Sequence, residues 1–142
     1  MIGVRKPTIK ERDSIKHWFE LSDGGNCRYK EGMIPWETTF VCTVDNVLAV
    51  SVSILELKNT TTVWIDFLLG NPEMDADKRR PATKTLFTFI ENYCTGKGYE
   101  RAVGFSPNDN LSKYYESFGG VKTMAVTAMI KELKCHQQYS QQ

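Results

Sequence analysis

The sequence predicts a mixed α/β domain built on a mostly antiparallel sheet, and three observations carry that prediction. Two β-rich runs, residues 39–44 and 47–57, flank Asp45-Asn46, a pair that tolerates the positive φ angles of a tight hairpin turn. Pro81 suits the first turn of a helix in which Leu86, Phe89, Ile90 and Tyr93 recur at helical spacing until Gly96-Lys97-Gly98 stops it. Helical segments also return between the later strands, which demands at least one parallel crossover in the sheet.

The remaining elements follow in order. Residues 2–5 form a short first strand, and Pro7-Thr8 breaks the chain before a helix over 10–21 with the apolar stripe Ile15, Trp18, Phe19 and Leu21. Ser22-Asp23-Gly24-Gly25-Asn26 is a loop, and residues 27–38 mix large side chains with charges without a period. A segment of that composition packs on the core or lines a pocket, packing being favoured. After the 39–57 hairpin, Lys58-Asn59-Thr60 turns into a third run over 61–69, completing an antiparallel meander. A strand over 99–105, a short helix over 108–117 ended by Gly119-Gly120, and closing strands within 121–133 complete the domain. This gives a single domain over 1–134 and a polar tail over 135–142, with no internal repeat and no dividing linker.

Composition narrows the classes of function. The chain has 142 residues, 41% hydrophobic and 25% charged, as an ordinary globular protein has. Eighteen Lys and Arg against 17 Asp and Glu leave a net charge of +1, so nucleic-acid or membrane binding would need a local patch. No apolar run approaches the ~20 residues of a membrane span: Asp66 follows Val63-Trp64-Ile65, and Gly70 follows Phe67-Leu68-Leu69. The Arg5-Lys6 pair is followed by no apolar stretch of a secretory signal, and a cytoplasmic protein is expected. Cys27, Cys42, Cys94 and Cys135 include no C-x-x-C pair, and His17 and His136 are too sparse to complete a zinc site. Free structural thiols, no metal and a surface His17 are the expectation.

Three segments carry a family resemblance. Val4-Arg5-Lys6-Pro7-Thr8, with Asp13 following, has a strand ending in Arg and then a Thr and an Asp at the first helix. Leu69-Gly70-Asn71-Pro72-Glu73 precedes a basic cluster and a helix. Asn108-Asp109-Asn110-Leu111-Ser112-Lys113-Tyr114-Tyr115-Glu116-Ser117-Phe118-Gly119 matches the pattern Asn-x-x-Ala-x-x-Leu-Tyr-Glu-x-x-Gly at Asn108, Tyr115, Glu116 and Gly119. With the order of elements from about residue 2 to 133, these segments resemble the GNAT superfamily of N-acetyltransferases. The resemblance implies a central mixed, mostly antiparallel sheet of six to seven strands with helices on both faces, and acetyl-CoA or another acyl-CoA as co-substrate.

It also implies roles for residues. Leu68, Leu69 and Gly70 at a strand end, Lys78, Arg79, Arg80, Ala82, Thr83 and Lys84 at the next helix start, and Asn108 fall where the family holds its cofactor. Tyr115 falls on the general acid that protonates the departing thiolate, while a backbone N–H on the fourth strand polarises the acyl carbonyl. The acceptor, a small-molecule or protein amine, is implied near residues 17–37, where Tyr29, Trp36, Glu31 and Glu37 stand. The loop departs from the family pattern, because Lys78 takes the Arg/Gln position and the usual glycines are replaced by Arg79, Pro81 and Thr83. Proline offers no N–H to a phosphate. Four cations, Lys78, Arg79, Arg80 and Lys84, can bind phosphate through side chains instead, and cations that oppose the macrodipole at a helix start read as an anion site rather than bland surface.

The residues themselves supply a base. Asp66 is the lone carboxylate of an apolar strand, and period-two alternation places it with Trp64, Leu68 and Gly70. Buried there, a carboxylate would have a raised pKa and accept an amine proton; Glu56 is the reserve. Two alternatives stand beside an N-acyltransferase: a non-catalytic GNAT-fold binding module using the basic segment for a partner or anion, and, disfavoured by the balanced charge, a nucleic-acid binder. A monomer or homodimer is expected.

Overall fold

The computed structural model describes residues 1–22 and 28–104, together with Lys113 and Glu116. The chain divides into two compact units, Met1–Phe105 and Ser106–Gln142. In the second, the two described residues are helical and exposed. Asn108, Tyr115, the closing strands within 121–133, Cys27 and Cys135 lie outside the described residues.

The first unit holds, among the described residues, five strands and two α-helices: β1 (Ile2–Arg5), α1 (Ile9–Ser22), β2 (Thr39–Val44), β3 (Val47–Glu56), β4 (Thr62–Gly70), α2 (Ala76–Gly96) and β5 (Arg101–Gly104). The sheet order is β1-β2-β3-β4-β5. The first three pairings are antiparallel and β4–β5 is parallel, so α2 is the expected crossover.

Local chemistry explains most boundaries. Asp45 and Asn46 have φ of 50° and 67°, the left-handed pair of a two-residue hairpin turn, and Val44 faces Val47 across it. At the end of α2, Gly98 (φ 86°) lets its N–H reach the Thr95 carbonyl at 3.0 Å and the Tyr99 N–H reach that of Cys94 at 3.1 Å. Tyr99 therefore belongs to this cap, and β5 starts at Arg101 rather than at 99.

α2 starts at Ala76, five residues before the expected position, so Pro81 sits inside the helix. The start is set by what precedes it. Asn71 binds back to β3, its N–H to the Ala49 carbonyl at 2.8 Å and its side-chain amide to that of Leu48 at 2.9 Å. The Asp75 carbonyl then accepts from the N–H groups of Lys78 and Arg79. Pro81 supplies no N–H to the Asp77 carbonyl, a local cost. Burial of Ala82, Leu86, Ile90 and Cys94 at four-residue spacing outweighs it.

Two apolar clusters use alternate residues of the sheet. Phe40 and Cys42 of β2, Val50, Val52 and Ile54 of β3 and Val63 of β4 meet the α2 stripe, with Phe89 and Tyr93 flanking Phe40 at ring distances of 5.0 Å each. Val41, between Phe40 and Cys42, packs instead with Leu48, Leu69, Ile34 and the α1 residues Ile15, Trp18 and Phe19. Leu21, expected in that stripe, is exposed. Cys42 and Cys94 are free and buried, and burial pushes both thiols up from their ordinary pKa. His17 is exposed.

α1 is opened by a capping box. The Glu11 N–H donates to Thr8 Oγ1 at 3.2 Å, and the Thr8 N–H donates to Glu11 Oε1 at 2.9 Å. Arg5 grips the same carboxylate with two hydrogen bonds of 2.6 and 2.9 Å. The Arg5 bonds, reinforced by Thr8, hold the Glu11 carboxyl down to about 2. Its folded value lies below the unfolded one, about 4.3, so its stabilisation is complete above about pH 5 and is lost as pH falls toward 2. After discounting for the exposed guanidinium, Glu11→Gln is expected to cost about 1 kcal/mol at pH 7 and to flatten stability between pH 5 and 2 in urea titrations. A difference that is the same at every pH would contradict this.

Candidate active site

The centre of β4 is irregular. Ser51 pairs with Leu69 and Ser53 with Asp66, leaving Phe67 and Leu68 opposite Val52 alone. This is a β-bulge, with Phe67 in the left-handed region at φ 53°. The Phe67 N–H donates to Asp66 Oδ1 at 2.7 Å.

The bulge corrects the expected alternation. Leu68 packs with Ile65 against the α2 cluster, whereas Phe67 and Leu69 join the α1 cluster. Asp66 therefore shares its face with Trp64 but not with Leu68. It is also exposed rather than buried. Glu56 is committed to Lys97, with Nζ to Oε1 at 3.2 Å.

The parallel ladder to β5 runs from Thr62–Arg101 to Ile65–Gly104. From Asp66 to Gly70, β4 has no pairing with β5 among the described residues.

The basic helix start adjoins the end of that stretch. Arg79 folds back over Gly70, where a Cβ would lie 2.8 Å from its Nη1, and its buried Nε has no hydrogen-bond partner among the described residues. Lys78 and Lys84 are exposed. Arg80 is also exposed and pairs with Asp77 at 3.3 Å. Thr83 donates its hydroxyl to the Arg79 carbonyl at 2.9 Å. Ala82 and Leu69 are buried in the two clusters, so their side chains face the core.

Gly70→Ala separates fold from site here. The clashing atom is the end of a flexible side chain, so a stability loss under about 1 kcal/mol is expected. Any ligand that depends on the seated guanidinium should be weakened several-fold, read by calorimetry. An unchanged affinity would mean that the seat is irrelevant to binding.

The segment proposed for the acceptor lies along α1. Arg12 stacks over the Trp36 ring at 5.3 Å, Lys16 over that of Tyr29 at 5.2 Å, and Glu20 accepts from the Tyr29 N–H at 3.2 Å, a ladder at i, i+4, i+8. Lys16 also pairs with Glu31 at 3.1 Å. Trp36 Nε1 donates to the Tyr29 hydroxyl at 3.3 Å. Tyr29 meets Phe19 at 6.1 Å, and Phe19 meets Phe67 at 5.7 Å. Tyr29 and Trp36 are thus half-buried packing residues, connected through rings to the bulge, while Glu37 is exposed. Phe67 and Arg12 escape the sequence reading: nothing local marks the bulge, although the Arg12, Lys16, Glu20 spacing is visible on a helix.

Among the described residues no cluster of His, Cys, Asp and Glu could hold a metal ion, and no helix is long and apolar enough to cross a membrane. No protein-family model matches the chain. No curated protein matches it. Solved structures do. An aminoglycoside acetyltransferase from an uncultured soil metagenomic sample, in complex with sisomicin, superposes with a TM-score of 0.65 at 16% identity, over 94% of this chain and 96% of that one. N-acetylglutamate synthase from Neisseria gonorrhoeae, complexed with coenzyme A and N-acetyl-glutamate, gives 0.67 at 16%, over 88% of this chain and 29% of that one. A transcriptional regulator from Bacillus halodurans gives 0.69 at 10%, over 92% and 100%. The chain has the fold of the GNAT acetyltransferases, as its motifs implied. At these identities the likeness is one of fold.

Proposed function

We propose that this chain is an acyl-CoA-dependent N-acyltransferase, in the first instance an acetyltransferase, acting on an amine in a ternary complex. The observation that carries the reading is the bulge at Phe67–Leu68, followed at Gly70 by the seated Arg79. Lys78, Arg79, Arg80 and Lys84 hold the phosphates through side-chain charge, which replaces the backbone contacts of a glycine-rich loop. The buried Nε of Arg79, without a hydrogen-bond partner among the described residues, fits an anionic ligand at this end of β4. The edge of β4 over Leu68–Gly70 and Asn108 complete the cofactor contacts.

When bound, acyl-CoA supplies a thioester whose carbonyl carbon takes the amine nitrogen, a C–N bond forming as the C–S bond breaks. Asp66, exposed beside the bulge, accepts the proton lost by the amine, directly or through one water. Tyr115 gives its hydroxyl proton to the leaving thiolate, whose basicity is comparable to that of a phenol. Tyr29, Trp36 and Glu37 border the acceptor. The setting proposed is the cytoplasm, in keeping with the free thiols of Cys42 and Cys94.

A second reading, a non-catalytic binding module, is favoured by one feature: no glycine stands between Lys78 and Lys84, and Pro81 lies within that stretch. Thermal unfolding separates the two. Acetyl-CoA or CoA at ~100 times its dissociation constant adds about 2.7 kcal/mol to the folded state, a rise of several degrees in Tm. No shift at millimolar ligand would overturn the acyltransferase.

A further inference from the structure

Arg12 stands apart from the rest of the α1 ladder. Lys16 is held by Glu31 at 3.1 Å and Asp13 at 3.9 Å, and Glu20 by the Tyr29 N–H. Arg12 is half-buried over the Trp36 ring, and its buried Nε has no hydrogen-bond partner among the described residues. No carboxylate is paired with it there either. A donor taken out of water without an acceptor is a cost that stacking on a ring offsets only in part. The ring also fixes the plane of the guanidinium, and a fixed planar fork is the geometry that grips a carboxylate. Because two carboxylates already answer Lys16, the charge left over at this end of α1 is a single positive one, which suits a monoanion better than a phosphate dianion.

The same face of the sheet carries the Asp66 carboxylate. Thr39 is two residues from Val41, which packs with α1, and its hydroxyl meets that of Ser53 at 2.8 Å. Ser53 in turn pairs with Asp66. The row Thr39, Ser53, Asp66 therefore crosses three strands on the α1 side, with Trp36 just ahead of Thr39 at one end and the bulge beside Asp66 at the other. Its ends are two strand spacings, roughly 10 Å, apart. A run of aromatic rings links them: Trp36 meets Tyr29 at 6.3 Å, Tyr29 meets Phe19, and Phe19 meets Phe67, the residue next to Asp66. From one end to the other the order is cation, apolar rings, carboxylate.

We propose that Arg12 binds a carboxylate of the acyl acceptor, and that the acceptor class is an ω-amino acid, a primary amine and a carboxylate joined by a chain of methylenes. The carboxylate takes the Arg12 fork, the methylenes lie along the rings, and the ammonium meets Asp66. An extended chain of six bonds spans roughly 7–8 Å. With a charge-assisted hydrogen bond of about 2.8 Å at each end, it matches the reach from Arg12 to Asp66. An α-amino acid, with both groups on one carbon, is too short to engage the two. The proposal rests on the acyltransferase reading.

The test uses the full chain, with 6-aminohexanoate as probe and hexylamine, in which a methyl group replaces the carboxylate, as control. Acetyl transfer, followed by release of the CoA thiol, is measured together with the acetyl-CoA shift in Tm. The expected result is a kcat/KM for 6-aminohexanoate at least about tenfold above that for hexylamine, the difference lying in KM. Arg12→Gln should bring that ratio near one, and Arg12→Lys, which keeps the charge without the fork, should leave it between the two. The acetyl-CoA shift should persist in both variants, which also shows that they fold. If acetyl-CoA stabilises the protein but hexylamine is the equal or better substrate, or neither amine is acetylated, or the preference survives in Arg12→Gln, the assignment of Arg12 is overturned and the acyltransferase stands. If acetyl-CoA gives no shift, the acyltransferase falls and the acceptor role of Arg12 falls with it.

Discussion

Replacing Lys78, Arg79 and Arg80 together by alanine is expected to weaken acetyl-CoA binding by about 100-fold. A hydrogen bond to a charged group contributes roughly 1.5–3 kcal/mol. Three exposed or half-exposed cations sharing one pyrophosphate do not add fully, so about 3 kcal/mol for the set is the reasonable scale. The wild type should also lose affinity as salt rises from 0.05 to 0.5 M, and the triple variant much less, because the screened charges are gone. The fold should survive, since Lys78 and Arg80 are exposed and the buried stripe of α2 is Ala82, Leu86, Ile90 and Cys94. Equal affinity in variant and wild type would remove the basic helix start from the mechanism.

The second large effect is on turnover. Tyr115→Phe removes one proton donor and little volume, so a fall in kcat of roughly 100-fold is expected, the low end of general acid catalysis. Affinity for acetyl-CoA should stay within a factor of two, because only an interaction of the transition state is lost. Unchanged kcat would return Tyr115 to packing, and a parallel loss of affinity would make it a binding residue.

Much of the scaffold was legible before any coordinates. Asp45-Asn46 and Gly96-Lys97-Gly98 act through the conformations of two or three residues, and both ended their elements where expected. The capping box Thr8-x-x-Glu11 is equally local, though a reading led by apolar periodicity passes over it. Pro81 misled because its preference for a first turn is weaker than the anchoring of Asn71 to β3 and the buried α2 stripe, both tertiary contacts. Residues 28–38 carried no period because Tyr29, Ile34 and Trp36 pack on α1 and on each other without a ladder of their own.

The candidate site was legible in its residue types and less so in its arrangement. Asp66 stood out as the carboxylate of an apolar strand, and the cations as a cluster. The face that Asp66 occupies, the exposure of Glu37, and the inward direction of Ala82 and Leu69 depended on pairing across the sheet.

The sequence by itself determined the mixed architecture, the hairpin, the end of α2 and the clustering of positive charge, because each depends on neighbours within a few residues. Only the tertiary structure decided the bulge at Phe67 and the seat of Arg79 over Gly70. Strand register is chosen by the summed burial of both faces of β3 and β4, a quantity that no short stretch of chain contains.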